Sequence, residues 1–125
     1  MKKSKKSKYT KKLADQLFSL IIRKAGKCFR CRSIFHLQTA HIVTRWYLPT
    51  RWSLDIALCL CAKCHLFFTY RPLEWEEYIV GQFGREHWDD LKLRARTYVK
   101  IDYQEVIEHL HSLVNTEVSA RIINS

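Results

Sequence analysis

Two C-x-x-C pairs mark the chain, Cys28-Phe-Arg-Cys31 and Cys61-Ala-Lys-Cys64. A C-x-x-C turn presents two sulfurs on one side, and two such turns supply the four soft ligands that a tetrahedral Zn²⁺ prefers. The 29 residues between the pairs are many for a plain ribbon but leave room for an inserted hairpin. A fifth cysteine, Cys59, shares a strand face with Cys61. The turn at Cys61 matches the first pair, so Cys28, Cys31, Cys61 and Cys64 are taken as ligands of a structural zinc and Cys59 as a small core residue.

Histidines stand at both ends of this stretch's second half: His41 lies between the pairs, and His65 follows Cys64 directly. A lone histidine on an apolar strand is more often packing than chemistry. Here Arg45 and Arg51 lie near His41, and a zinc knot would draw the two imidazoles together. An unprotonated imidazole can take a proton from water near neutral pH, and arginine pairs bidentately with phosphate. Phosphodiester hydrolysis is the chemistry these residue types suit. Trp46, Tyr47 and Trp52 are interleaved with the arginines. At least one of the two tryptophans is expected in the core, and at least one arginine on phosphate.

The segments Ala40-His-Ile-Val-Thr-Arg45, Arg51-Trp-Ser-Leu-Asp55 and Leu58-Cys-Leu-Cys-Ala-Lys-Cys-His65 resemble the HNH endonuclease superfamily, in particular small phage HNH proteins that include recombination nucleases of the NinG/Rap type. The resemblance covers roughly residues 28–69. It implies a ββα-metal finger braced by a four-cysteine zinc knot, and metal-dependent cleavage of DNA. It implies His41 as general base and His65 as a ligand of a catalytic Mg²⁺ or Mn²⁺, with Asp55 as a further site candidate. The chain departs from the family pattern at Ala40, where Asp or His often binds metal, at Ile56 in place of the middle Asn, and at Thr69 in place of a final His. These departures motivate a second expectation, a zinc-stapled DNA-binding or adaptor protein that no longer cuts.

The elements that must position these groups read as an α+β fold, mainly α, with an N-terminal helix before the finger and helices after it. Leu13 to Ala25 has helical spacing and Gly26 can end it. Residues 34–38 and 40–43 read as short extended pieces, 44–53 as a loop, 57–60 as a strand and 61–69 as a short helix. Pro72 opens a helix that Gly84 stops. A second helix is expected over 86–99, with Trp88, Leu91 and Ala95 on one face. Asp102 and Glu105 resemble a capping box before an apolar stripe running to about residue 120. Trp75, Trp88 and Tyr98 are expected to pack helices together. Residues 1–12 read as a flexible tail and 13–125 as one domain, with a core at 28–69 and a helical extension at 72–120.

The formal charge of +10 is uneven. Residues 1–12 hold seven lysines and no acid, while residues 72–125 are net acidic. Lys2, Lys3, Lys5 and Lys6 therefore form a candidate phosphate-contacting arm, and the basic half points to DNA rather than a membrane surface. No apolar run reaches roughly 18 residues, so no transmembrane helix is expected. The N-terminus lacks an apolar run with a small-residue cleavage site. A reducing, cytoplasmic setting follows, the host bacterial cytoplasm if the chain is phage-encoded, and there paired cysteines usually mean metal. The C-terminal helices could pair two copies.

Overall fold

The computed structural model describes residues 8–114. Lys2, Lys3, Lys5 and Lys6, and the end of the stripe expected to reach residue 120, lie outside the described residues. The architecture is α+β and mainly helical: five helices and one two-stranded antiparallel sheet, with the four-cysteine cluster at one end.

Helix α1 spans Lys11–Arg23. It begins two residues before the expected Leu13 because Thr10 caps it, its hydroxyl accepting from the Leu13 amide at 3.1 Å. Lys11 and Lys12, read from sequence as tail, are therefore helical. The buried face is Ala14, Leu17, Phe18, Ile21 and Ile22, so Leu20 turns outward. Strand β1 is Leu37–His41 and β2 is Ala57–Cys61. The expected extended pieces at 34–38 and 40–43 merge into this one shorter strand. His36 sits in the left-handed region at φ 55°, which stops the strand from starting earlier.

Register fixes what each strand residue faces. Thr39 pairs with Cys59, Ala40 with Leu58 and His41 with Ala57. Side chains alternate across a strand, so Thr39, His41, Ala57 and Cys59 share the side covered by α1. The Ser19 and Thr39 hydroxyls meet at 2.9 Å, and the Phe18 and His41 rings lie 5.5 Å apart. Gln38, Ala40 and Leu60 face the other side, towards helix α2 at Ala62–Thr69.

Two apolar clusters result. The larger joins α1, the sheet and the C-terminal helices; the smaller is Cys28, Ala40, Leu60, Cys61, Cys64 and Phe68. Helix α3, Pro72–Phe83, bridges them through Trp75 and Tyr78, and the Trp75 indole donates to the Ile42 carbonyl at 3.0 Å. Helix α4, Arg85–Ala95, buries Trp88, Leu91 and Ala95 as the spacing predicts. It stops four residues short of Val99. The Thr97 hydroxyl donates back to the Leu93 carbonyl at 2.7 Å, and Arg96 closes a tight last turn on the same carbonyl. Tyr98 consequently packs no helix and stands in solvent. Helix α5, Tyr103–Val114, lies on α1 and is capped by Asp102, whose carboxylate accepts from the Gln104 and Glu105 amides.

Candidate functional site

The cysteine quartet is assembled by backbone turns at both ends of the hairpin. In each knuckle the amide of the second cysteine donates to the sulfur of the first, Cys31 to Cys28 at 3.4 Å and Cys64 to Cys61 at 3.5 Å. Cys61 closes β2 and caps α2. The Phe29 amide donates to the Cys59 carbonyl at 2.7 Å, pinning the first knuckle to the second strand. All four sulfurs lie within 4.8 Å of one another, with Cys31 and Cys61 at 3.6 Å. Zn–S bonds of about 2.3 Å imply tetrahedral S–S edges of roughly 3.8 Å, so the quartet is close enough to hold a metal ion. Cys59 is outside it and buried in the larger cluster, as its unmatched spacing predicts.

The environment favours anionic sulfur at Cys28 and the neutral thiol at Cys64. Burial alone would raise the Cys28 thiol, but backbone amides of Cys31, Cys61 and Arg30 outweigh it and bring it down to about 6. Burial pushes Cys64 up to about 12 against a hydrogen bond from Arg30, with the neighbouring sulfurs adding to the rise. A quartet with one stabilised thiolate and one held protonated is what adjacent negative charges produce, and a divalent cation relieves that repulsion.

A second feature is an open cleft of about 830 Å³ along the free edge of β1, walled by α1 on one side and by α2 and the start of α3 on the other. His41 and His65 both line it. The His41 Nε2–H donates to the Arg51 carbonyl at 3.1 Å, so Nδ1 carries the lone pair. Burial lowers the His41 pKa, against the Arg51 carbonyl and with the charges of Arg45 and Arg51. His65 donates from Nδ1 to the Gln38 side-chain oxygen at 2.7 Å, which leaves Nε2 as an open ligand atom. Burial lowers its pKa too. Both imidazoles are thus neutral at pH 7, with opposite tautomers and one uncommitted nitrogen each.

The arginines divide. Arg51 is spent inside the protein: Nε and Nη2 hold the Asp15 carboxylate at 2.9 and 2.6 Å, and Nη1 donates to the Arg45 carbonyl at 3.1 Å. Three of its five N–H donors are committed and the side chain is largely buried, so it is not the free phosphate contact that the sequence suggests. Its backbone carbonyl instead orients His41. Arg45 is exposed at the cleft, 3.6 Å from Asp15. Of the two tryptophans interleaved with the arginines, Trp52 is the buried one, and its indole also donates to Asp15, at 2.9 Å.

Asp15 is therefore the residue that sequence reading passes over. Its only signal is being one of two acids between residues 13 and 71. Burial raises its pKa, but hydrogen bonds from Arg51 and Trp52 and the charges of Arg51 and Arg45 outweigh burial and lower it. Asp15→Ala removes the acceptor shared by two part-buried donors, and an expected loss of about 2 kcal/mol follows from charge-assisted hydrogen bonding. Urea unfolding checks it. Because the folded pKa lies below the ordinary carboxylate value, the parent's advantage over Asp15→Ala is complete above about pH 4 and fades as pH falls through the lowered value. Equal stability of the two proteins at pH 7 would refute the role.

Asp55 is not brought to the cleft. It sits in the short 3-10 turn Leu54–Ile56, accepts from Arg94 at 2.7 Å and lines a separate groove. Ile56, beside it, is fully buried, which turns Asp55 towards α4. Ala40 is buried against the smaller cluster, and among the described residues Asp15 is the only carboxylate lining the cleft. Gln38, absent from the sequence-level candidates, is the group that orients His65.

No protein-family model, no curated protein and no solved structure matches this chain. Among the described residues, no helix is long and apolar enough to cross a membrane.

Proposed function

We propose that the chain is a metal-dependent DNA endonuclease of the HNH type, with a zinc ion on Cys28, Cys31, Cys61 and Cys64 holding hairpin and helix in register. The observation that carries this reading is the pair of opposite tautomers in one cleft: His41 with Nδ1 open and His65 with Nε2 open. The order β1, β2, α2, with His41 ending the first strand and His65 in the first turn of the helix, fits a ββα-metal finger. In the proposed reaction the His41 Nδ1 accepts a proton from the attacking water, and the Arg51 carbonyl stabilises the imidazolium that forms. Arg45 draws the phosphate backbone to the cleft. A divalent ion at His65 would polarise the phosphodiester and stabilise the leaving oxygen. Phage or mobile-element DNA processing is the setting the resemblance implies.

The donor set favours a metal that takes nitrogen more readily than Mg²⁺ does. Mg²⁺ prefers oxygen, whereas Mn²⁺ tolerates mixed nitrogen and oxygen donors, and among the described residues no carboxylate is free in the cleft. Cleavage of supercoiled DNA is therefore expected with Mn²⁺, and more weakly with Mg²⁺. His65→Ala should abolish the response to Mn²⁺ while zinc content stays unchanged. Undiminished Mn²⁺-dependent cutting by His65→Ala would exclude this ligand.

The same observation supports one rival. With Asp15 committed to Arg51 and Trp52 and His41 assigned as base, the described residues of the cleft offer a catalytic cation His65 and no free acid. A zinc-stapled DNA-binding protein without cleavage is the reading left if no divalent ion yields nicked product while DNA binding persists and weakens with salt.

A further inference from the structure

Among the described residues, the two most exposed aromatic side chains belong to no part of the cleft chemistry. Trp46 is 83% exposed and Tyr98 86%, and they come from segments more than fifty residues apart. Both line a groove of about 530 Å³ between the 47–50 turn and the connection from α4 to α5, together with Tyr47, Pro49, Arg96 and Val99. Among the described residues neither ring has a stacking partner, and neither side-chain polar atom has a hydrogen bond. Most exposed aromatics lean on the protein; two left free across one groove mark a binding surface.

Charge decides the occupant. Among the described residues, the groove lining includes Arg96 and no acid. Arg45 precedes Trp46, and Lys100, also exposed, lies two residues beyond Tyr98. A second copy of the chain would bring basic residues against basic residues. An anionic chain with flat apolar faces meets both features. The groove and the candidate cleft are neighbours along the chain: Arg45 lines the cleft and Trp46, the next residue, lines the groove.

We propose that this groove is a subsite for unpaired nucleotides, in which Trp46 and Tyr98 stack on bases while Arg96 and Arg45 track the phosphates. Aromatic faces stack on any base, so the subsite selects single-stranded character rather than sequence. A duplex presents no base face to it. The inference rests on nucleic acid being the ligand of the adjoining cleft but not on cleavage.

The test uses the full-length His41→Ala protein without added divalent ion, so that catalysis plays no part. Binding of a fluorescein-labelled oligothymidine and of a duplex of equal length is followed by anisotropy over a series of salt concentrations. Trp46→Ala and Tyr98→Ala are each expected to weaken single-strand binding by about tenfold, the scale of one lost base stack. Their salt slope should match the parent's, and duplex binding should change little. Arg96→Ala should instead flatten the single-strand slope by roughly 0.7, the value for one phosphate contact. Quenching of tryptophan emission by oligothymidine should be smaller in Trp46→Ala. The proposal is overturned if both aromatic variants bind oligothymidine like the parent, if single strand and duplex weaken alike, or if the parent does not bind oligothymidine. Loss of self-association in Trp46→Ala with DNA binding intact would give the surface to a second copy and likewise overturn it. Duplex nicking by the His41-containing protein alongside any of these results would leave the nuclease reading standing.

Discussion

Cys61→Ser is expected to drop bound zinc from about one ion per chain to none and to remove the cooperative unfolding of one end of the molecule. The size of the effect follows from how little else holds that end. The smaller apolar cluster has six buried residues, three of which are cysteines of the quartet. Without metal, half of these buried residues would be thiols, with Phe68 and Leu60 as the large buried side chains and half-buried Phe29, Phe67, Trp75 and Tyr78 packed around them. Cys61 also ends β2 and caps α2, but serine is itself a good helix cap, so what Cys61→Ser removes is the metal ligand that ties strand end to helix start. Structural zinc supplies about 10–16 kcal/mol of folding free energy in small zinc-finger peptides. Here the larger cluster, with 15 buried residues drawn from α1, the sheet and α3 to α5, has a core of its own. The expected result is therefore partial unfolding: helical circular dichroism falls only in part, while amides of residues 28–36 and 58–69 lose protection from hydrogen exchange. Cys59→Ala should retain the zinc, since Cys59 is outside the quartet. A parent chain that holds no metal, and melts alike with and without chelator, would remove the zinc knot from the structure.

The quartet was legible in sequence because a C-x-x-C turn is a local constraint. Two residues between cysteines fix the backbone closely enough to predict which sulfurs converge, and they separate Cys61 from Cys59. The helices after residue 72 were legible for a similar reason: Pro72, Gly84 and Asp102 act through their own backbone neighbourhoods. What spacing could not convey was pairing across the chain. Arg51 reads as a phosphate contact until α1 brings Asp15 to it from 36 positions away. Asp55 reads as a site acid until α4 brings Arg94 from 39 positions away. Gln38 and Thr10 matter through single hydrogen bonds that leave no periodic trace. The boundary errors have the same origin: His36 at positive φ and Thr97 bonding back to Leu93 are individual conformations that no apolar pattern reports.

His41→Ala is expected to lower DNA cleavage by about 10²–10⁴-fold, the usual contribution of a positioned general base, while zinc content and thermal unfolding stay close to the parent's. The fold should tolerate the change because the imidazole is part-buried at a strand end and makes one hydrogen bond, to a backbone carbonyl at the cleft wall. A pH profile separates base catalysis from a merely structural role. Burial depresses the His41 pKa below its ordinary 6.5, and the nearby Arg45 and Arg51 charges act in the same direction. The active form is the unprotonated one, so the parent's rate should be flat at pH 7 and above and should fall as pH drops through a value below 6.5. In His41→Ala the residual rate should lose that acid limb. Arg51 gives a further distinction: its carbonyl is the His41 acceptor, and that carbonyl survives any side-chain change. Arg51→Lys keeps the charge but cannot hold Asp15 bidentately. It should loosen the loop that carries the carbonyl and lower kcat with little change in KM. An acid limb that persists unchanged in His41→Ala would assign the titrating group elsewhere and end the case for His41 as the base.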